Sequence, residues 1–152
     1  MAKADDTRPR TLLTLRLIWA AMLMSQLVFF LVVAFVLTEA RGATPDLHPM
    51  LGWIGVGWFV AATALGYFAR NQIYKSAWRE HAIAPGGYLT GNLVLLALLE
   101  SVGLFSIIAL LVTGVMVPEI LPAIGALVVF AINFPTGHAM RPHPPGEVGR
   151  VE

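Results

Sequence analysis

Four long apolar stretches dominate the sequence and decide what the chain can fold into. A helix needs about 20 mainly apolar residues to cross the hydrocarbon of a bilayer. The stretches show no alternation of apolar and polar side chains, so membrane-spanning strands are excluded. The sequence therefore predicts one all-α domain, an integral membrane protein with four transmembrane helices at about residues 17–37, 50–69, 88–113 and 119–134.

The first apolar stretch has a basic flank, so a cleaved signal peptide is the alternative interpretation. Its core, Leu17 to Leu37, is longer than the apolar region of a signal sequence, which has about 7–15 residues. The residues that follow, Thr38-Glu39-Ala40-Arg41, make a poor cleavage site. We therefore expect this stretch to be retained as a membrane helix.

The distribution of positive charge predicts the orientation of the helices. Charged residues make up 12% of the 152 residues, about half the usual fraction of a soluble domain. Nine of the ten Lys and Arg residues fall in the N-terminal segment, the middle loop and the C-terminal tail, and only Arg41 lies in the other two loops. Lys and Arg are enriched in cytoplasmic loops. Both termini and the middle loop are thus predicted to be cytoplasmic, with the protein in the inner membrane of the cell.

Two segments outside the predicted spans have patterns of their own. Residues 71–82 place apolar and polar side chains at helical spacing, which predicts a cytoplasmic extension of the second helix or a helix in the membrane interface. Residues 135–152 contain four prolines, and we expect this tail to be disordered.

Glu100 is the ionisable residue that lies deep within a predicted span. It follows Tyr88 by 12 residues, which places it roughly 18 Å into a helix that crosses about 30 Å of hydrocarbon. An ionised carboxylate at that depth costs at least about 2.5 kcal/mol, which favours the protonated acid or a bound cation. A structural hydrogen bond between membrane helices returns only about 0.6 kcal/mol on average. The comparison favours a functional role, and a structural hydrogen bond remains the alternative.

Gln26 is the predicted neighbour of Glu100. It lies roughly 14 Å deep on the first helix, level with Glu100 to within about a turn. Its amide could donate to the carboxylate or coordinate a cation, and an ordinary packing hydrogen bond explains it equally well. Ser101 and Ser106 add hydroxyls near this level, although serine in a membrane helix usually bonds its own backbone. The predicted site comprises Glu100, Gln26 and Ser101, and its ligand is a proton or Na⁺.

Small residues form a stripe on the second predicted span. Gly52, Gly55, Ala62 and Gly66 recur at helical spacing, and small stripes let helix backbones approach closely. The stripe predicts tight packing against the third span, which offers Gly103, or against another copy of the chain. The alternative is that it only reflects the high glycine content of membrane helices.

Several classes of function are disfavoured by the composition. The chain has no cysteine, and its four histidines have no metal-ligand spacing, so no metal site is predicted. No basic patch interleaves with aromatic residues, which excludes nucleic acid as a partner. No nucleophile lies near a plausible base. We therefore expect neither an enzyme nor a cofactor other than the proton or Na⁺.

Residues 95–111, LLALLESVGLFSIIALL, resemble the carboxylate-bearing helix of the ring-forming proteolipid subunit of rotary ATP synthases. That helix carries a Glu in a setting such as Ala-Glu-Ser-x-Gly-Ile-Tyr-Ser. The corresponding places are held here by Glu100, Ser101, Gly103, Phe105 and Ser106.

Two further segments resemble the same family. Ala69-Arg70-Asn71-Gln72 resembles the cytoplasmic loop that meets the rotor shaft, and the small stripe resembles the glycine-rich first helix of the family. The resemblance covers about residues 52–113, and two predicted spans flank it. It implies a homo-oligomer that binds a proton or sodium ion at Glu100, with partner subunits in a membrane complex. Ser101 is similar to the serine of the sodium-binding variants.

Two interpretations of function stay open. The first is a proteolipid-like protein that binds an ion at Glu100. The second is a non-transporting structural or accessory subunit, since small four-span bacterial membrane proteins of unassigned function share this arrangement.

Overall fold

The computed structural model describes residues 7–39, 47–79 and 82–141. These residues form an all-helical protein, as predicted. Its four helices are listed here in chain order: α1 (Thr7–Glu39), α2 (His48–Ser76), α3 (Pro85–Thr113) and α4 (Ile120–Ile132). A short 3₁₀ helix (His138–Met140) follows α4.

The helix ends follow from local sequence. Pro49 and Pro85 occupy the first turns of α2 and α3, where a missing backbone N–H costs little. Helix α3 ends at Gly114, whose φ of 66° lies in the left-handed region that glycine adopts without a steric penalty. The Gly114 N–H donates to the Leu110 carbonyl oxygen at 2.9 Å and so satisfies one of the last carbonyls of the helix.

Each helix runs antiparallel to the next, and α3 lies at the centre of the bundle. It packs against α1, α2 and α4. Its buried face includes Leu95, Leu99 and Val102, each with no exposed surface. One end of the bundle brings together the start of α1, the end of α2 and the end of α4, because Arg16 Nε donates to the Pro135 carbonyl oxygen at 3.2 Å and Arg70 donates to Asn133.

All seven Lys and Arg residues in the described ranges lie at that end of the bundle, which we call the basic end. They occupy the first turns of α1, the last turns of α2, the hairpin after it and the segment after the 3₁₀ helix: Arg8, Arg10, Arg16, Arg70, Lys75, Arg79 and Arg141. The fold thus brings into one layer positive charges that are far apart in the sequence.

The outer surface of the bundle is apolar along most of its length. Large side chains such as Phe35, Trp53, Phe68 and Ile132 are between 62% and 75% exposed. A soluble monomer rarely exposes so much contiguous apolar surface, whereas lipid tails solvate it without penalty. Three helices are long and apolar enough to cross a membrane, over Arg8–Val33, Pro49–Ser76 and Pro85–Thr113. The chain is a multi-pass membrane protein.

Helix α4 is shorter than the span predicted over residues 119–134. It has 13 residues, or about 20 Å, against about 30 Å of hydrocarbon. It begins one residue after the predicted start, at Ile120, and ends two residues before the predicted end, at Ile132. Only three of the four predicted spans therefore meet the length requirement as continuous helices.

The helical extension predicted over residues 71–82 is only partly correct. Helix α2 continues through Ser76, but Trp78–Arg79 (β1) and Ala82–Ile83 (β2) then pair as a two-residue antiparallel hairpin. The Ala84 N–H donates to the Ala77 carbonyl oxygen at 3.0 Å, which closes the turn instead of continuing the helix. This pairing buries Ala82 and Ile83.

The expected disorder of residues 135–152 is wrong for residues 135–141. Pro135 and Met140 are buried, and the Gly137 N–H donates to the Tyr88 hydroxyl at 3.1 Å. The segment is therefore held against α1 and α3 by packing that its proline content did not reveal. Residues 142–152 lie outside the described part of the chain.

Candidate functional site

Glu100 lies near the middle of α3. It is 15 residues from Pro85 and 13 from Thr113, so about 20 Å of helix extends on either side. Its side chain is half-buried, between the buried Leu99 and the half-buried Ser101 along the chain. The carboxyl group therefore lies near the middle of the third candidate membrane helix and is partly exposed at the surface of the bundle.

Gln26 of α1 packs against α3 one turn from Glu100. Its side chain is 3% exposed, and neither its amide oxygen nor its amide nitrogen has a hydrogen-bond partner in the described structure. A Cβ at Gly103 would lie 3.1 Å from Gln26 Cδ and 3.2 Å from both amide atoms, so the missing side chain of Gly103 creates the space that the amide occupies. Gly103 follows Glu100 by three residues and therefore neighbours it on the helix surface.

Ser106 continues the same row of α3. Glu100, Gly103 and Ser106 are spaced by three residues and form one oblique ridge, and Gln26 lies over the middle member. Ser106 is 2% exposed, and its hydroxyl has no hydrogen-bond partner in the described structure. Ser106 was not among the predicted site residues, although its three-residue spacing from Gly103 could have identified it.

Unpaired buried polar groups carry a cost that requires explanation. Leaving a buried amide or hydroxyl without a hydrogen bond costs about 1–3 kcal/mol by mutational measurements. Gln26 carries this cost on the seam between α1 and α3, where it packs at Gly103, and Ser106 carries it on the buried face of α3. The seam can therefore bind a group that offers hydrogen bonds or takes oxygen ligands, next to the carboxyl of Glu100.

Ser101, the third predicted member of the site, faces another helix. Its hydroxyl donates to the Leu98 carbonyl oxygen at 2.7 Å and accepts from Trp58 Nε1 of α2 at 3.2 Å. Ser101 and Gly103 are two residues apart and so point about 160° away from each other around the helix. The structure therefore does not bring Ser101 to the seam that holds Gln26.

The small stripe of α2 packs within the chain. A Cβ at Gly52 would lie 2.5 Å from Pro118 Cγ, and one at Gly55 would lie 3.3 Å from Pro122 Cγ. Gly66 approaches Leu95 of α3 in the same way, and Ala62 has no exposed surface. The predicted contact with the third span is thus made by Leu95 and Phe105, while Gly103 faces α1 instead.

A second polar cluster joins three helices near the basic end. Arg70 Nη1 donates to Asn133 Oδ1 at 2.7 Å, and Asn133 Nδ2 donates to the Tyr67 hydroxyl at 2.6 Å. Beside them, Asn92 Nδ2 donates to the Tyr74 hydroxyl at 2.6 Å. Neither asparagine was among the predicted site residues, although Asn92 is a polar residue in an otherwise apolar helix and Asn133 directly follows one.

The position of Arg70 differs from the one that the proteolipid resemblance implies. Arg70 lies within α2, and its guanidinium group also stacks over the Tyr67 ring at 4.7 Å from the centroid. It is therefore engaged inside the bundle and does not lie in a loop that presents it to a partner.

Glu119 is a second buried carboxyl. It directly precedes α4 and is 1% exposed, but its side chain makes no capping hydrogen bond to that helix. Its burial matters for any experiment that detects carboxyl groups in the membrane.

The fold and these contacts define an all-helical, multi-pass membrane protein with a polar seam at mid-depth. No family model matches the chain, and neither the curated proteins nor the solved structures contain a significant match to it. Its function is therefore argued from its own residues.

Proposed function

We propose that this protein binds a proton or a sodium ion at Glu100, with the Gln26 amide as a second ligand group. The observation that carries the proposal is the buried, unpaired amide of Gln26, one turn from the carboxyl on a facing helix. A carboxylate with an amide oxygen is a hard-oxygen donor set that suits a small cation. With a proton instead, the neutral acid donates to the amide oxygen.

The proposal includes four spans, with both termini and the middle loop in the cytoplasm of the cell and the protein in its inner membrane. The segment containing α4 supports the fourth crossing, because it runs beside most of α2. Pro118 packs at Gly52, and Asn133 bonds to Arg70, which is 18 residues or about 27 Å further along α2. The long Arg70 side chain covers part of that distance. The grouping of Lys and Arg at the basic end supports the orientation.

The proposal also includes self-association, as in proteolipid rings. The small stripe of α2 is occupied within the chain, so contacts between copies would use another face. Helix α1 offers such a face, because only 11% of its most apolar 18-residue stretch is buried inside the bundle, whereas 50% of the corresponding stretch of α3 is buried.

A non-transporting accessory subunit is the second candidate. It is favoured by the internal engagement of residues that the resemblance would assign to ion binding or to a partner. Ser101 is bonded to Leu98 and Trp58, and Arg70 is bonded to Asn133. In that case Glu100 contributes to helix association alone.

Labelling with a carbodiimide separates these two functions. Dicyclohexylcarbodiimide reacts with protonated carboxyl groups that are accessible from lipid, so it is expected to modify Glu100 at neutral pH. Sodium is expected to slow the reaction if the site holds Na⁺, since a coordinated carboxylate is ionised. A proton-only site responds to pH and ignores sodium.

Two variants control the labelling. Glu100→Gln should remove the modification, and Glu119→Gln should leave it unchanged, because Glu119 is 1% exposed and shielded from the reagent. Peptide mass spectrometry locates the modified residue. Absence of label on Glu100 throughout the neutral pH range, in folded protein, would contradict the ion-binding proposal.

Single-cysteine labelling tests the orientation in this cysteine-free chain. Lys75→Cys and His143→Cys should resist a membrane-impermeant maleimide in intact cells and react after permeabilisation. Ala43→Cys, in the first predicted outer loop, is the positive control. Labelling of position 75 or 143 from outside would overturn the assigned orientation.

A further inference from the structure

A small cavity lies at the basic end, between the start of α1 and the segment that follows α4. Its volume is about 250 Å³. The lining residues come from two distant parts of the sequence: Arg8, Pro9, Leu12, Thr136, Gly137, Met140 and Arg141. It is unrelated to Glu100, which lies near the middle of α3, and the inference below does not depend on the proposed function.

The fold builds this cavity through the chain reversal after α4. Gly137 has a φ of 78°, in the left-handed region, and a Cβ there would lie 3.2 Å from both methyl carbons of Leu12. Its N–H is fixed by the Tyr88 hydroxyl, and the Arg141 N–H donates to the His138 carbonyl oxygen at 3.0 Å. Arg141 is therefore held on a structured segment, opposite the first turns of α1.

The lining combines two cations with an apolar floor. Arg8 and Arg141 supply the charge, Thr136 supplies a hydroxyl, and Leu12 and Met140 supply apolar surface. None of the described lining residues is acidic. Both arginines also make contacts within the chain, but a guanidinium group has five N–H donors and can bind an anion while keeping such a contact.

The level of the cavity matches the headgroup layer of a bilayer. Leu13 and Leu17 are 60% and 63% exposed, which indicates that lipid tails reach this part of α1. Arg8 precedes Leu13 by five residues, or about 7.5 Å along the helix. The polar layer on each side of the hydrocarbon is about 5–7 Å thick. With the edge of the hydrocarbon at Leu13, Arg8 falls at the level of the lipid phosphates.

We propose that this cavity binds the phosphate of an anionic phospholipid, with the first methylene groups of the lipid against Leu12 and Met140. Arginine pairs with phosphate through two parallel hydrogen bonds, and two arginines on separate segments can hold both faces of one phosphodiester. The bound lipid would join α1 to the segment after α4. Its negative phosphate would also offset the repulsion between Arg8 and Arg141, which line the same cavity.

Native mass spectrometry of the full chain, released from nanodiscs of defined composition, tests the proposal. Phosphatidylglycerol should remain bound in preference to phosphatidylcholine. Replacing both arginines (Arg8→Gln with Arg141→Gln) should weaken phosphatidylglycerol binding about 25-fold, or about fivefold for each charge removed. Each single variant serves as the test if the double variant does not fold.

The matched control removes two other charges from the basic end. Arg10→Gln with Arg79→Gln makes the same change in net charge at exposed positions outside the cavity lining, so it should weaken lipid binding clearly less than the cavity pair does. Equal losses in the two double variants would overturn the site, because the effect would then be general attraction. Inorganic phosphate that binds as tightly as the lipid would also overturn it, since the cavity would then be a site for a free anion.

Discussion

Replacing Gln26 by leucine is expected to abolish the response of Glu100 to sodium while leaving the protein as stable as before or more stable. The amide is 3% exposed and has no hydrogen-bond partner in the described structure, so its removal relieves a cost of about 1–3 kcal/mol. The same change removes a ligand from the ion. The expected result is a loss of sodium protection by at least about tenfold, with the thermal unfolding temperature in detergent unchanged or raised.

The proton-binding case predicts a different signature for the same variant. The protonated Glu100 carboxyl then donates to the Gln26 amide oxygen, so Gln26→Leu should change the rate of carbodiimide labelling of Glu100 at a fixed neutral pH. Gln72→Leu, at an exposed position of α2, is the control and should change neither labelling nor stability. If Gln26→Leu lowers the unfolding temperature and leaves labelling unaltered, the amide is structural and the second candidate function is favoured.

Replacing Gly52 by leucine is expected to cause the largest loss of stability among single changes on α2. A Cβ there would lie 2.5 Å from Pro118 Cγ, and the rigid proline ring cannot move aside as a flexible side chain would. Overpacking of this kind costs about 1–3 kcal/mol, and the full leucine side chain places the cost near 3 kcal/mol. Unfolding by a denaturing detergent, followed by circular dichroism, measures the change.

Gly57 provides a control on the same helix. A Cβ at Gly57 would meet no atom within 4 Å, so Gly57→Leu adds the same side chain into open space. Leucine also has a higher helix propensity than glycine, so this variant should be neutral or slightly stabilising. Equal destabilisation by the two substitutions would mean that the contact between α2 and Pro118 does not limit stability.

The helices and their membrane character could be predicted from sequence because both depend on local properties. A span of about 20 apolar residues satisfies its backbone hydrogen bonds internally, whatever its neighbours are. Residues 17–37, 50–69 and 88–113 fall within α1, α2 and α3 for this reason. The depths of Glu100 and Gln26 could be compared in the same way, since the helix rise converts residue number into distance.

The residues that make up the candidate site could not be predicted from depth alone, because the direction in which each side chain leaves α3 also decides whether it reaches the site. Ser101 and Ser106 lie near the same level, but only the contacts of α3 with its neighbours decide which hydroxyl is hydrogen-bonded to a facing helix and which is buried without a partner in the described structure. Trp58 of α2 donates a hydrogen bond to the Ser101 hydroxyl, whereas Ser106 lies on the α3 ridge that begins at Glu100. A sequence gives the angle between two residues of one helix, but not the neighbour that each of them meets.

The sequence by itself determined that this chain is a multi-pass helical membrane protein with a carboxyl group near the middle of its third long apolar helix, because hydropathy and helix length act locally. The tertiary structure alone decided which surfaces meet. It placed the α2 stripe against Pro118, Pro122 and Leu95, fitted Gln26 into the space at Gly103, and folded residues 135–141 onto α1. The hydrogen bond from Arg16 to Pro135 joins residues 119 positions apart, and the packing energy that selects such contacts exists only once the helices are together.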